Sequence, residues 1–209
     1  MRPVVIAVDG PAASGKGTIA KRLAAHYALP MLDTGLLYRA VGQRMVDLGR
    51  SLDHAADAEA TARAFAVDWL DDDRLRQRRS GEYASRVARY PGLRAALRQF
   101  QQDFANQPGG AVLDGRDIGT IIAPDAPAKL WIDADVAVRA RRRFLELQSR
   151  GEPVLEADIL ADLMDRDRRD APNMVIAQDA IRIDTSEMDV EQAVAAALAA
   201  VAQRLRQSP

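Results

Sequence analysis

Residues 8–18 read VDGPAASGKGT, with Gly10, Gly15 and Gly17 set around a single lysine, Lys16. The spacing Gly-x-x-x-x-Gly-Lys after a short apolar run is that of a loop whose backbone N–H groups wrap a phosphate while the lysine reaches the outer phosphates of a nucleotide. The Ser or Thr that commonly follows the lysine is absent; Gly17 stands there and Thr18 comes next. A glycine-rich turn that binds nothing is the competing reading, and context weighs against it. An apolar run at 4–8 precedes the loop and an amphipathic helix starting at Lys16 follows, so unpaired helix N–H groups face an anion. A helix terminus contributes only about 0.3–2 kcal/mol per favourable charge interaction, leaving Lys16 and a divalent cation to carry the rest. A loop built for this purpose is expected to be exposed.

Three further groups could face such a donor. LDTGLLYR (32–39) places Asp33, Thr34, Tyr38 and Arg39 around Gly35 near a helix start; taken alone, this is better explained by a helix cap and solvated charges. In LDGRDIGT (113–120) a strand ends at Asp114, Gly115 permits a tight turn, and Arg116 and Asp117 emerge at the strand's C-terminal edge, where open α/β sheets bind ligands. Asp114 reads equally as an acid near a divalent cation or as the residue that starts the turn. RDRRD (166–170) spaces Arg166 from Arg169, and Asp167 from Asp170, by three residues; by itself that alternation describes a salt-laced helix surface. Arginines and one lysine without a catalytic histidine suit transfer of a phosphoryl group to an acceptor that is already anionic. Such an acceptor needs no general base, only cations that bring two like-charged groups into line. His26 and His54 look incidental.

The elements that must position these residues follow from periodicity. Apolar runs at 4–8 (VVIAV), 111–114 (AVLD), 129–133 (KLWID) and 181–184 (IRID), with 30–33 (PMLD) a weaker case, alternate with helical stretches and indicate βα units feeding a parallel sheet. Ile19, Leu23 and Tyr27 recur every four residues after Lys16. Further helices are expected over Leu36–Leu48, Pro91–Ala105, Val136–Arg150, Glu156–Arg169 and Val190–Leu205. Residues 51–81 are charged, poor in β-branched residues and carry no assignable period. NQPGGA (106–111) is a turn leading into a strand, no internal repeat is present, and Trp69 and Trp131 read as core.

Composition bounds the remaining possibilities. With 209 residues, 48% of them hydrophobic, the chain can build one principal core without disulfide staples. It has no cysteine and two histidines, which removes thiolate chemistry, argues against zinc and fits a reducing compartment; a cytoplasmic location is expected. The net charge of -1 gives no support for a nucleic-acid partner. The longest apolar stretch, 193–202, is too short and alanine-rich to span a membrane. Only Lys16, Lys21 and Lys129 of the 29 basic residues are lysine, and the arginine excess parallels the alanine excess that a GC-rich coding sequence produces.

Taken in order, DGPAASGKGT, LDTGLLYRA, ASRVARYPGLR, LDGRDIGTIIAPDAPAKLWIDA and RDRRD cover nearly the whole chain, and together the sequence closely resembles the bacterial cytidylate kinase family, in the nucleoside monophosphate kinase class of P-loop proteins. The resemblance accounts for Gly17, since monophosphate kinases commonly carry Lys-Gly-Thr. It implies an α/β P-loop three-layer fold with a central five-stranded parallel sheet, a small acceptor-binding insert and a helical lid. As a single kinase domain, its core would span 1–48 and 106–209, its insert 49–105 and its lid 144–165. The implied reaction is transfer of the γ-phosphate of ATP to CMP or dCMP with Mg²⁺.

By motif match, Gly10, Pro11, Ala12, Ala13, Ser14, Gly15, Lys16, Gly17 and Thr18 would hold the ATP phosphates, with Lys16 central and Thr18 the candidate for Mg²⁺. Arg39, Arg116 and Arg166 would hold the acceptor phosphate, and Thr34 and Tyr38 would line its pocket. Ser85, Arg94 and Asp117 fall where the family reads cytosine, and Asp170 where it holds the sugar. The stretch Arg139 to Arg169 resembles the lid that closes over ATP. The expected partners are small nucleotides, with no nucleic acid and no membrane, and the expected state is a monomer. Two departures stand out. The family commonly has arginine where this chain has Asn173, and VDWLDDDRLRQRRSGEYAS (67–85) is too short and too charged for the family's β hairpin. A kinase for UMP or another small acceptor, and a module that only senses ATP, are the alternatives.

Overall fold

Five strands form one sheet: β1 (Val4–Asp9), β2 (Met31–Asp33), β3 (Gly110–Gly115), β4 (Ala128–Asp133) and β5 (Ile181–Asp184). Their order is β2-β3-β1-β4-β5 in the computed structural model, which describes residues 3–207. β1 runs parallel to β3 with Val4 opposite Gly110 and Asp9 opposite Gly115, and parallel to β4 with Asp9 opposite Trp131. β4 in turn pairs parallel with β5, Ile132 opposite Ile183. Parallel central strands are covered on both faces, which is why their sequences are continuous apolar runs and not alternating ones. The register also fixes the site: the C-terminal ends of β1 and β3 lie side by side, so the turns after Asp9 and Gly115 leave from the same edge.

The chain divides into two compact units, one made of the residues up to Leu32 with those from Ala105 onward, the other of Asp33–Phe104. In the sheet unit, α1 (Lys16–Tyr27) and α8 (Val190–Gln207) contribute Ile19, Leu23, Val194, Ala197 and Val201 to a core shared with Ile6, Val8, Val112, Leu130 and Ile132. The alanines of the C-terminal stretch thus serve packing. A smaller core joins α6 (Val136–Ser149) and α7 (Glu156–Asp170) through Ala140, Leu147, Ile159 and Leu163, and it includes Ala12 of the glycine loop. No helix among the described residues is long and apolar enough to cross a membrane.

The second unit is helical: α2 (Thr34–Asp47), α3 (Ala55–Arg63), 3₁₀ turns at Val67–Asp71 and Asp73–Arg76, α4 (Arg78–Val87) and α5 (Pro91–Ala105). Leu37, Val41 and Met45 recur every four residues on α2 and are fully buried. The stretch without an assignable period, 51–81, contains α3, both 3₁₀ turns and the first turn of α4. The face α4 buries includes Ser80, Gly81 and Ser85, so no hydrophobic period marks it. Small residues there permit close packing. A Cβ at Gly42 of α2 would come within 2.8 Å of the Tyr83 Cβ on α4. Trp131 is buried as expected, whereas Trp69 is half-buried, edge-on to Phe65 and beneath the Arg44 guanidinium.

Candidate active site

The loop after β1 has a shape that only particular residues permit. Gly10 has φ of 150°, and a Cβ there would lie 2.0 Å from the Ile132 carbonyl oxygen on β4. No larger residue fits. Ala13 adopts φ of 62°, a left-handed conformation costing roughly 1–2 kcal/mol for a residue with a Cβ. Gly15 then occupies the N-cap of α1, with no side chain capping the helix. No side chain therefore covers the first turn of α1, where the Thr18 amide bonds back to the Gly15 carbonyl at 3.0 Å, and an N-terminus open in this way is the arrangement that makes helix N-termini anion sites. Contrary to the expectation of exposure, most of the loop is enclosed: Ser14 is fully buried, Lys16 is 8% exposed, and only Gly15 and Thr18 are exposed. The Ser14 hydroxyl is buried and without a hydrogen-bond partner.

Lys16 is anchored by charge. Its Nζ lies 3.5 Å from Oδ1 of Asp114, the last acid of β3, which is itself buried. A Cβ at position 17 would sit 3.2 Å from the other Asp114 oxygen, tighter than most Cβ contacts, so glycine suits the place where a hydroxyl residue is commoner. Asp9 sits one residue before the loop, and no motif or spacing in the sequence marks its role. Its two carboxylate oxygens accept the amides of Ile118 (2.9 Å) and Gly119 (2.8 Å), which tethers the end of β1 to the turn carrying Arg116 and Asp117. Burial pushes the Asp9 carboxyl up to about 6, against the opposing pull of those two amides. The Asp117 carbonyl caps the single π-helical turn Ile118–Ile122, accepting the Ile121 amide at 2.8 Å.

Arg116, Arg166 and Asp170 come together. Arg116 donates from Nε to Asp170 Oδ2 at 3.2 Å and from Nη1 to the Gly115 carbonyl, and Arg166 Nε lies 3.6 Å from the same Asp170 oxygen. Two guanidinium groups thus converge on one carboxylate, all three side chains one-fifth exposed or less. The other members of RDRRD divide: Arg168 pairs with Asp165 at the surface, Arg169 is exposed, and Asp167 turns inward to Arg139. Only Arg168 and Arg169 fit a salt-laced surface. Arg139 is 5% exposed and spends its donors on the Ala134 and Ala12 carbonyls and on Asp167.

The helical unit holds the other motif residues. Asp33 caps α2 by accepting the Gly35 amide at 2.9 Å, so the capping reading is correct for that residue. Thr34 is buried at the first position of α2, and Arg39 donates to the Leu75 carbonyl at 2.8 Å. The Arg94 guanidinium lies 5.5 Å from the centre of the Tyr38 ring, bringing these two residues together. Ser85 is buried on α4. His26 is exposed on α1, and His54 is paired with Asp57 at the start of α3.

Hard oxygen donors near the loop are few. Thr18 offers a hydroxyl and Asp114 a carboxylate, and no cluster of three or more acidic or histidine residues among the described ones could cage a metal. That donor set suits a cation that keeps waters and arrives bound to nucleotide phosphates, as Mg²⁺ does.

A family model described as cytidylate kinase matches residues 6–203. The chain belongs to the cytidylate kinase family. Among its relatives, the cytidylate kinase of Xanthobacter autotrophicus is 57% identical over 205 residues, 96% of this chain and 98% of that protein. The cytidylate kinase of Caulobacter vibrioides is 57% identical over 198 residues, 92% of each chain, and that of a Methylobacterium species is 59% identical over 168 residues, 80% of each. A crystal structure of an uncharacterised protein from Eubacterium ventriosum matches with a TM-score of 0.56 at 19% identity, over 95% of this chain and 98% of that one, a likeness of fold.

Proposed function

We propose that the chain transfers the γ-phosphate of ATP to CMP and dCMP, giving ADP and the pyrimidine diphosphate. Membership in the cytidylate kinase family names the reaction, and the observation that carries the assignment of residues is the uncapped N-terminus of α1 beside the buried Lys16. Residues 10–18 hold the ATP phosphates through backbone amides, and Lys16 balances charge on the transferred group. An ionised oxygen of the acceptor phosphate attacks the γ-phosphorus as the bond to the β-phosphate oxygen breaks. No proton has to move. Arg39, Arg116 and Arg166 hold the acceptor phosphate and stabilise the equatorial oxygens, Thr34 and Tyr38 line its site, Ser85, Arg94 and Asp117 read cytosine, and Asp170 holds the sugar. Thr18 and Asp114 would hold Mg²⁺, whose contribution is to offset phosphate charge. Residues 144–165, spanning the end of α6 and most of α7, take the part of a lid that excludes water.

The acceptor range tests this directly. Purified protein with ATP and Mg²⁺ is expected to phosphorylate CMP and dCMP ahead of UMP, AMP and shikimate, measured as coupled ADP release. Equal rates across the set would overturn the cytosine assignment. A preference for UMP would instead favour the alternative acceptor reading, a pocket reshaped by Asn173 and the short 67–85 segment.

A further inference from the structure

The phosphate loop is held from behind by two side chains distant in sequence. Arg139 of α6 donates from Nη1 to the Ala12 carbonyl at 3.1 Å. Thr185, just past β5, reaches the Ser14 carbonyl with its hydroxyl at 3.2 Å. The single proton of that hydroxyl is shared between two carbonyls, those of Ser14 and Asp133. Arg142 Nη1 can only donate, and it occupies a hydroxyl lone pair at 3.0 Å. The Asp133 carbonyl, also 3.0 Å from the hydroxyl, already accepts the Thr185 amide at 2.8 Å. Both clamps are rigid. Arg139 is 5% exposed, fixed by Ala134 at Nε and by Asp167 at both terminal nitrogens, and Thr185 is 2% exposed.

A trans peptide points its C=O and the following N–H in opposite directions. Holding the Ala12 oxygen against Arg139 therefore turns the Ala13 N–H the other way, and holding the Ser14 oxygen against Thr185 turns the Gly15 N–H. Between these two pinned planes lies Ala13, whose left-handed backbone would otherwise relax. We propose that Arg139 and Thr185 are positioning residues for phosphoryl transfer, fixing two loop peptides so that the Ala13 and Gly15 amides face the ATP phosphates. They touch neither substrate. The inference rests on the reading of residues 10–18 as the ATP site, and it predicts a defect confined to the donor nucleotide.

The test is ATP affinity by calorimetry, together with KM for ATP and for CMP, in wild type, Thr185→Val, Thr185→Ser and Arg139→Lys. Losing one orienting hydrogen bond is expected to weaken ATP binding by about 3- to 10-fold in Thr185→Val and to raise KM for ATP in step, with KM for CMP unchanged. Thr185→Ser, which keeps the hydroxyl, should bind ATP as the wild type does. Arg139→Lys keeps the charge but lacks the fork that serves two carbonyls and a carboxylate at once, and it should weaken ATP as well. Unchanged ATP affinity in Thr185→Val, equal losses for both nucleotides, or a serine variant as weak as the valine one would each overturn the proposal. Wild-type protein that binds ATP but phosphorylates neither CMP nor dCMP would defeat the assigned reaction alone, since the clamp would still be read from affinity. A wild type that does not bind ATP overturns both.

Discussion

The glycine loop and the arginine cluster at Asp170, both in the sheet unit and both proposed above as sites for phosphate, are built on opposite plans. In the loop, the parts not meant for ligand are already occupied: Ala12 and Ser14 carbonyls are tied back and Gly10 is wedged against Ile132. The helix N-terminus is left uncapped. At Asp170, by contrast, the cations themselves are engaged, Arg116 and Arg166 converging on one carboxylate. The loop is held in shape before a ligand arrives, whereas at Asp170 an incoming anion competes with a carboxylate for the same guanidinium groups. A phosphate dianion can draw a guanidinium from a carboxylate because it offers more charge and the same bidentate geometry; a neutral molecule such as water cannot. On the proposed assignment, the acceptor phosphate would bind against a competitor, whereas the triphosphate tail would meet a loop already held in place.

Breaking the preorganised side should cost most. Lys16→Met keeps much of the aliphatic stem and removes the charge, so kcat is expected to fall by at least about 100-fold. Because Lys16 also pairs with the buried Asp114, some loss of melting temperature accompanies it, unlike the pure activity loss expected of an exposed loop. Turnover and thermal melting measured on the same preparation separate the two. A melting loss large enough to account for the missing activity would recast Lys16 as a structural cation.

Breaking the exchanging side should cost less and fall on the other substrate. Arg116→Ala removes one charged contact to the acceptor phosphate and leaves Asp170 to Arg166, so kcat/KM for CMP is expected to drop by about 10- to 100-fold with ATP affinity intact. Steady-state kinetics with each substrate varied in turn read the contrast. Equal effects on both nucleotides would erase the distinction between the two sites.

The features legible in the sequence are those that depend on local spacing. The strand runs, the helix after Lys16, Pro91–Ala105 and the glycine pattern all show a period or a turn residue within a dozen positions, and the structure has them within one or two residues of the expected ends. Spacing alone does not bring Arg116 to Arg166 and Asp170, since 54 residues separate the first from the last; only the family resemblance, which gives Arg116 and Arg166 one phosphate, anticipates that meeting. Asp9, Arg139 and Thr185 illustrate the same limit more sharply. Each acts on backbone atoms far along the chain, and a backbone carbonyl or amide leaves no mark in a sequence. α4 is obscured for a different reason: three of the five residues it buries are Ser80, Gly81 and Ser85, beside Ala84 and Val87, so its buried face has little hydrophobic signature.

Asp9 allows the gentlest perturbation, because it joins the two plans by tying β1 to the Ile118–Gly119 amides. Its pKa rises from 3.8 to about 6 on folding, so over that interval the native chain keeps a proton the unfolded chain has lost. Stability from this group is therefore full below about pH 4, declines as pH rises to about 6 and is level beyond, by at most about 3 kcal/mol. Asp47, Asp72 and Asp184, held below the usual carboxylate range by hydrogen bonds to Arg74 or Ser186, work in the other direction, losing stabilisation as pH falls. Asp9→Asn isolates the first effect by difference, since those other groups are common to both proteins. The wild type should gain in melting temperature relative to the variant as pH is lowered from 7 to 4.5. The asparagine turns its own N–H₂ toward one of the two amides, so a small rise in KM for CMP, without change for ATP, should accompany it. A difference in melting that stays flat across that pH range would show that Asp9 ionises as freely in the folded chain as in the unfolded one, and the tether would then be an ordinary pair of hydrogen bonds with no burial cost behind it.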